Sequence, residues 1–365
     1  MQFPEWSKID KDSRFRLYRP LLRLLSFVYG IGIRLWSFFQ SVRPGRTLPG
    51  FVISIGNLTV GGTGKTPAAC MLAQWARDKG YRVAILSRGY RGSYKHKVLI
   101  VSDGDKLYAG AEEAGDEPVL LAKKLPRVPI IVSKRRYDGG LWAHQHYGID
   151  FFILDDGFQH RALKRDLDLV LLDGERPLAN GYLLPRGPLR EPISALNRAQ
   201  ALILTHCGEG TLSSEEANKL IGSGSEKPVF CSTHIPEKIV FPAQNRTYGP
   251  DFISSKRVIA FAGIGSPEFF REVLIKLDAE IIDFINFGDH HRFSQKEIDD
   301  LITMNEENNG DFMITTEKDW IRLEQIKFNY SRLSYLTIAF SILENQEEFY
   351  EMIENKINSM DKIER

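Results

Sequence analysis

From Gly50 onward the chain alternates short apolar runs with amphipathic stretches. FVISIG (51–56) is a β-branched run, and PAACMLAQWARDKG (67–80) carries apolar residues at helical spacing, with Pro67 in the first turn and Gly80 as a stop. YRVAILSRGYRG, KVLIVSDG and VPIIVSKRR read as strands, AEEAGDEPVLLAKKLP as a loop entering a helix, and YDGGLWAHQHYG as a helix. IDFFILDDGFQH reads as a buried strand ending in a polar cluster, and DLDLVLLDGERP and ALILTHC add two strands around the Pro/Gly-rich loop NGYLLPRGPLREP. This alternation predicts a mostly parallel sheet with helices on both faces.

The pattern loosens over residues 233–255, which read as a connector with short β-like runs such as KPVFCSTHI beside it. A second α/β series then runs through KRVIAFAGIG, the helix PEFFREVLIKL, the strand AEIIDFINF, the helix SQKEIDDLITMNEEN, and the strands DFMITTEKD and RLSYLTIAF. The expected organisation is an N-terminal helical segment (1–46), a first α/β domain (47–232), the connector, a smaller α/β lobe (256–345) and a charged tail (346–365) that ends a helix or trails off.

Residues 18–40 are the most apolar part of the chain, yet Arg23 and Arg34 leave only ten uncharged residues between them, about half of the ~20 that span a bilayer. On a helix Arg19, Arg23, Ser26, Gly30, Arg34 and Ser37 share one face, and Leu21, Leu22, Leu25, Val28, Tyr29, Leu35, Trp36 and Phe39 occupy much of the rest. Two readings fit: a helix lying in the headgroup layer with arginines toward anionic lipid, or a core helix with solvated arginines.

Composition narrows the function classes. With 48 basic and 47 acidic residues the net charge is +1, so bulk electrostatics do not favour nucleic acid. The first 49 residues differ, with nine basic positions (8, 11, 14, 16, 19, 23, 34, 43, 46) against three acidic ones (5, 10, 12). Cys70, Cys207 and Cys231 are far apart in sequence and form no zinc-binding spacing, which points to a reduced compartment. No signal-peptide pattern is read at the N-terminus.

The sharpest chemistry lies in Thr59-Val60-Gly61-Gly62-Thr63-Gly64-Lys65-Thr66, between a strand and a helix. Backbone N–H groups and the helix N-terminus of such a loop surround phosphate oxygens, Lys65 reaches the terminal phosphates, and the Thr66 hydroxyl ligates Mg²⁺. Thr59 stands where the usual spacing asks for glycine. The strand before Asp155 and Asp156 resembles the metal-organising strand of phosphate-loop proteins, although Asp-Asp-Gly also makes turns. Asp116 and Glu117 precede a helix, where capping is one role and acceptance of a hydroxyl proton by Asp116 another. Asp289-His290-His291 joins a strand to a helix; its histidines are incidental or assist a base from the other lobe. Arg88 and Tyr90, and Arg190 and Glu191, sit on loops that can border the nucleotide or serve only as turns.

GNLTVGGTGKTP, LSRGYRG, GDEP, LDDGFQH, LLPRGPLREP, FGDHHRF and TTEKD occur in the order seen in the tetraacyldisaccharide 4'-kinases, and the resemblance covers nearly the whole chain. It implies a two-lobed P-loop NTPase-like α/β/α sandwich, with a second, smaller α/β lobe and an N-terminal amphipathic membrane-associated helix. It also implies transfer of the ATP γ-phosphate to the 4'-hydroxyl of a tetraacylated disaccharide 1-phosphate, giving lipid IVA, at the cytoplasmic face of the inner membrane. Carried over by motif, Lys65 and Thr66 serve the phosphates and Mg²⁺. Asp116 is the base, with a histidine of the 289–291 motif (His290 is chosen) behind it. Glu117, Asp155, Asp156 and Gln159 surround metal and nucleotide, and Arg88, Tyr90, Arg190 and Glu191 face the sugar phosphate or line the cleft. Thr59 becomes the family's own form of the loop. Gly288 departs from the family's expected Pro before Asp-His-His. No nucleic-acid partner is expected, and the oligomeric state stays open, with a monomer as the expectation. The competing reading is a nucleotide-dependent switch or metallochaperone NTPase, which shares the phosphate loop and the Asp-bearing strand.

Overall fold

The N-terminal helix α1 (Arg19–Val42) precedes β1 (Phe51–Asn57), α2 (Lys65–Asp78), β2 (Val83–Ser87), β3 (Leu99–Ser102), α3 (Ala111–Ala114), α4 (Asp116–Lys124), β4 (Ile130–Val132), α5 (Arg136–Tyr147), β5 (Phe151–Asp155), β6 (Leu167–Asp173), β7 (Ala201–Thr205) and α6 (Ser214–Ile221). Then come β8 (Val229–Phe241), β9 (Arg246–Tyr248), β10 (Arg257–Ala262), α7 (Pro267–Lys276), β11 (Glu280–Asn286), α8 (Gln295–Glu307), β12 (Phe312–Thr316), α9 (Glu317–Leu323), β13 (Leu333–Ile342) and α10 (Gln346–Asp361). The computed structural model describes residues 18–42, 45–208, 211–221, 226–326 and 330–361.

The strands form one sheet in the order β11-β10-β12-β13-β8-β7-β6-β1-β5-β2-β4-β3, with β9 paired to β8. β1, β2 and β5 are buried along their whole length, as their continuous apolar sequences require of parallel strands covered on both faces. β1 pairs in parallel with β5 on one side and β6 on the other. The chain leaves β1 toward β2 and later crosses from β5 to β6, so the switch in winding direction falls at the C-terminal end of β1. Ligands of open α/β sheets bind at such a point.

Three stretches differ from the sequence expectation. The region read as a connector holds most of β8, 13 residues long, which pairs in parallel with β7 at its start and antiparallel with β13 beyond. Pro236 and alternating exposure hide this strand in the sequence, because its two halves face different neighbours. Between DFMITT and RLSYLTIAF the chain forms α9, whose N-terminus is capped by Thr316 accepting a hydrogen bond from the Asp319 N–H. Within the charged tail, expected to end a helix or trail off, Gln346–Asp361 forms α10 and its burial is what the sequence did not show. Its Phe349, Ile353 and Ile357, spaced by four, are buried in the core of the first lobe, and Tyr350 stacks on Trp75 with ring centroids 5.1 Å apart. The end of the chain thus crosses back from the second lobe to the first.

Helix α1 resolves neither reading in the form expected. Its small polar stripe packs on the protein: Ser26 is buried and its hydroxyl donates to the Leu183 carbonyl at 2.9 Å, and the Ser37 carbonyl accepts from Arg161 at 2.8 Å. A Cβ at Gly30 would lie 3.0 Å from Leu183, so the helix approaches that loop closely. The apolar face is left outward, with Leu24, Phe27, Trp36 and Phe38 59%, 63%, 60% and 63% exposed. Arg19–Gln40 is long and apolar enough to cross a membrane by length and composition.

Candidate active site

The loop after β1 explains its own departure from the common spacing. Thr59 forms an antiparallel bridge with Leu189, the Val60 N–H donates to the Pro188 carbonyl at 2.8 Å, and the Arg190 N–H donates to the Leu58 carbonyl at 2.9 Å. A residue held in a bridge is extended, a conformation that suits β-branched threonine. Glycine is needed further on, at Gly61 (φ 132°) and Gly64 (φ 77°). Gly64 also lies against the His234 ring, where a Cβ would come within 2.7 Å of Nε2. Lys65 and Thr66 open α2, as the sequence predicts.

Around this loop the first lobe sorts its charges. Asp156, in the left-handed region at φ 49°, lies 3.7 Å from Lys65 Nζ and accepts from Arg190 Nη1 at 3.0 and 3.1 Å. Burial alone would raise its pKa, but Lys65 and Arg190 hold it down at about 2. Gln159 donates to the Asn57 carbonyl at 2.9 Å and lies 3.4 Å from Arg190. Asp155 is different: it is buried at the end of β5 and neither oxygen has a hydrogen-bond partner. Burial, reinforced by the charges of Glu117 and Asp156, pushes its pKa up to about 7. An unpaired buried carboxylate is costly unless a cation joins it.

Asp116 begins α4 after Gly115, whose φ of 92° separates α3 from α4. Its side chain makes no cap; Oδ2 instead accepts from Arg322 Nε at 2.7 Å and lies 3.4 Å from His290 Nδ1, both in the second lobe. Burial would raise its pKa, but His290 and Arg322 bring it to about 2, so the carboxylate is ionised and able to accept a proton. Glu117 pairs with Lys318 at 3.1 Å, and the Lys318 charge, opposed by burial, keeps its pKa low. Lys124 pairs with Glu317 at 2.8 Å and Lys123 with Glu324. Helices α4 and α9 therefore meet across the two lobes through three ion pairs, with a fourth to Glu324 just beyond α9.

His290 and His291 separate in role. His290, at φ 60°, donates its backbone N–H to the Gly263 carbonyl and faces Asp116, with the Tyr90 ring 6.1 Å away. His291 stacks on Phe287 and lies 3.0 Å from Glu297, the residue that completes the cap of α8. Gly288 has φ 77° and donates its N–H to Asn286 Oδ1 at 2.9 Å, two features that proline lacks. Gly265 brings the second lobe up to the phosphate loop, since a Cβ there would lie 3.4 Å from the Gly62 nitrogen.

The sequence matches the family described as tetraacyldisaccharide-1-P 4'-kinase (LpxK) over residues 18–358. The chain belongs to that family. Relatives include the tetraacyldisaccharide 4'-kinases of Syntrophus aciditrophicus (strain SB), 42% identical over 317 residues covering 83% of this chain and 84% of the relative, and of Desulfatibacillum aliphaticivorans, 37% identical over 358 residues covering 95% of each. Among solved structures, LpxK from Aquifex aeolicus in complex with ATP aligns with a TM-score of 0.75 at 34% identity, over 93% of this chain and 99% of that one. The two-lobed fold expected from the resemblance is the fold of this 4'-kinase family member.

Within this 4'-kinase fold the motif residues fall into three groups. Lys65, Asp156, Gln159 and Arg190 are joined directly, and Glu117 and Asp155 interact electrostatically with Lys65. Asp116, His290 and Tyr90 meet at the lobe junction, whereas Arg88, exposed just after β2, interacts electrostatically with Arg136 and His160. Glu191 stands apart: it is buried, 2.8 Å from Arg198, which lies over the Phe158 ring. Among the described residues no three His, Cys, Asp or Glu side chains form a metal cluster by themselves. Mg²⁺ fits the site as a nucleotide-bound ion, because it usually takes phosphate and water oxygens with one or two protein ligands, and Asp155 offers an unpaired carboxylate that feels the charge of Lys65. Lys318, Asp319 and Arg322 were missed as site residues. TTEKD was visible as a motif, but nothing in it states that its helix faces Asp116 and Glu117.

Proposed function

We propose that the cleft between the lobes transfers the γ-phosphate of ATP to the 4'-hydroxyl of a tetraacylated glucosamine disaccharide 1-phosphate, giving lipid IVA. The observation that carries this reading is the juxtaposition of Asp116, on the lobe bearing the phosphate loop, with His290 of the other lobe, 3.4 Å apart. The backbone of residues 59–64 and Lys65 hold the nucleotide phosphates. Thr66 and Asp155, with Glu117, Asp156 and Gln159 around them, would hold Mg²⁺, which when bound would supply neutralisation of the charge on the phosphates. The sugar hydroxyl oxygen bonds to the γ-phosphorus as the bond to the β-phosphate bridging oxygen breaks, ADP leaves, and the hydroxyl proton passes to Asp116. His290 stands beside that carboxylate, 3.4 Å from it. Closure of residues 256–345 over the nucleotide domain, 47–232, excludes water that would otherwise take the phosphate. Arg88, Tyr90 and Arg190 border the acceptor, and Glu191 supports the Arg190 loop through Arg198.

The outward apolar face of α1 seats the enzyme, as a monomer, on the cytoplasmic face of the inner membrane, where the acyl chains of the acceptor reside. Family membership favours the kinase over a nucleotide-dependent switch. Incubation with γ-labelled ATP and the tetraacyldisaccharide 1-phosphate tests the reading: label on the lipid supports it, and label released only as free phosphate defeats it. Asp116→Asn is expected to lose most turnover while keeping its affinity for ATP. Full turnover in that variant would move the base elsewhere.

A further inference from the structure

Arg322 lies in α9, 7% exposed, and spends every nitrogen on the lobe junction. Nη1 donates to Asp319 Oδ1 at 2.7 Å and to the Gly263 carbonyl at 2.8 Å, while Asp319, fully buried, accepts from the Gly263 N–H and the Thr316 hydroxyl through Oδ2. These bonds lock the guanidinium plane to the second lobe. Its other edge faces the lobe junction: Nε crosses to the first lobe and donates to Asp116 Oδ2 at 2.7 Å, while Nη2 lies 3.2 Å from Nδ1 of His290 in its own lobe.

Guanidinium nitrogens only donate, so Nη2 hydrogen-bonds His290 in the tautomer whose Nδ1 presents its lone pair, and in that tautomer Nδ1 has no proton for Asp116. The Nε bond of arginine to the carboxylate is independent of the tautomer, and it leaves Oδ1 for another partner. Lysine offers a point charge without the planar fork that engages both side chains at once.

We propose that Arg322 is a positioning residue for phosphoryl transfer: from the second lobe it turns the Asp116 carboxylate toward the acceptor hydroxyl and fixes the ring of His290, so that the base is aligned only when the lobes meet. This rests on the assignment of Asp116 as base. Because Asp116 is on α4 and Arg322 on α9, lobe closure and base alignment become one event. The neighbouring pairs Glu117–Lys318, Lys124–Glu317 and Lys123–Glu324 set the register of the two helices, which places one guanidinium opposite one carboxylate.

The test is steady-state kinetics on the full-length enzyme with ATP and the disaccharide lipid, for Arg322→Gln, Arg322→Lys, Asp116→Asn and the Asp116→Asn/Arg322→Gln double variant, with thermal melts alongside. Arg322→Gln is expected to lower kcat at least a hundredfold with the KM for ATP within about threefold, the signature of an interaction made in the transition state. In the Asp116→Asn background the same change should cost less than twofold, since no carboxylate remains to be turned. Arg322→Lys, which keeps a cation beside Asp319 and Asp116, should fold and still lose most of kcat, and it carries the test if the glutamine variant does not fold. Wild-type kcat in the Arg322 variants beside an inactive Asp116→Asn overturns the positioning role alone, as does a double variant that loses the product of the two single effects. Wild-type kcat in Asp116→Asn removes the base assignment and this role with it.

Discussion

The phenolic hydroxyl of Tyr29, on the N-terminal helix, donates a 2.8 Å hydrogen bond to the backbone carbonyl of Arg190, whose guanidinium in turn holds Asp156. A helix with an apolar outward face is thereby tied to the loop that borders the phosphate site. Ser26 and Gly30 bring the helix to the same loop through Leu183, so the small residues of α1 are there for close approach.

Tyr29→Phe removes that one bond and keeps the ring. A neutral hydrogen bond contributes about 1 kcal/mol, so kcat/KM for the lipid acceptor is expected to fall about fivefold. Kinetics in mixed micelles at saturating ATP would show it. Unchanged kcat/KM would mean that the Arg190 loop keeps its position without the helix.

The outward face of α1 gives a separate expectation. Replacing Leu24, Phe27 and Trp36 together by serine removes apolar side chains that make no core. Flotation with anionic liposomes should show weaker membrane attachment, while the melting temperature in detergent-free buffer should hold or rise. Equal flotation would place the membrane contact elsewhere.

Gly64→Ala meets two obstacles, the left-handed φ of 77° and the His234 ring 2.7 Å from the new Cβ. The backbone conformation alone costs about 1–2 kcal/mol. ATP affinity, measured by calorimetry, is expected to fall at least tenfold, and the His234→Ala/Gly64→Ala double variant should recover only the steric part.

Gly288→Pro would restore the residue expected from the family motif, yet here it should be harmful. Proline fixes φ near −65° and has no N–H for Asn286. Displacement of the following Asp289-His290-His291 turn should lower kcat with little change in the KM for ATP. A fully active variant would show that the turn tolerates either backbone.

The buried stripe of α10 predicts a stability effect far from the site. Phe349→Ala empties a fully buried position against Phe230 and is expected to cost about 3–5 kcal/mol, read by denaturant unfolding. Loss of that helix from the first lobe would also free the end of the second.

The sequence by itself determined what local chemistry dictates. A strand, a Gly-rich turn and Gly64-Lys65-Thr66 at a helix start have one mechanical use, and alternating apolar runs have one sheet type that buries them on both faces. The order of seven motifs was enough to reach the family. What the sequence left open depends on pairs of residues far apart in the chain. Thr59 looks like a missing glycine until Leu189, 130 positions away, is seen to bridge it. His290 and His291 are equivalent as letters and differ only because Asp116 faces one and Glu297 the other. Arg322 carried no signal at all, since an arginine on a short amphipathic helix is ordinarily a solvated charge. Tertiary structure decided its place: charge partners separated by some two hundred residues meet only when both lobes have folded against each other, and no periodicity along the chain encodes that meeting.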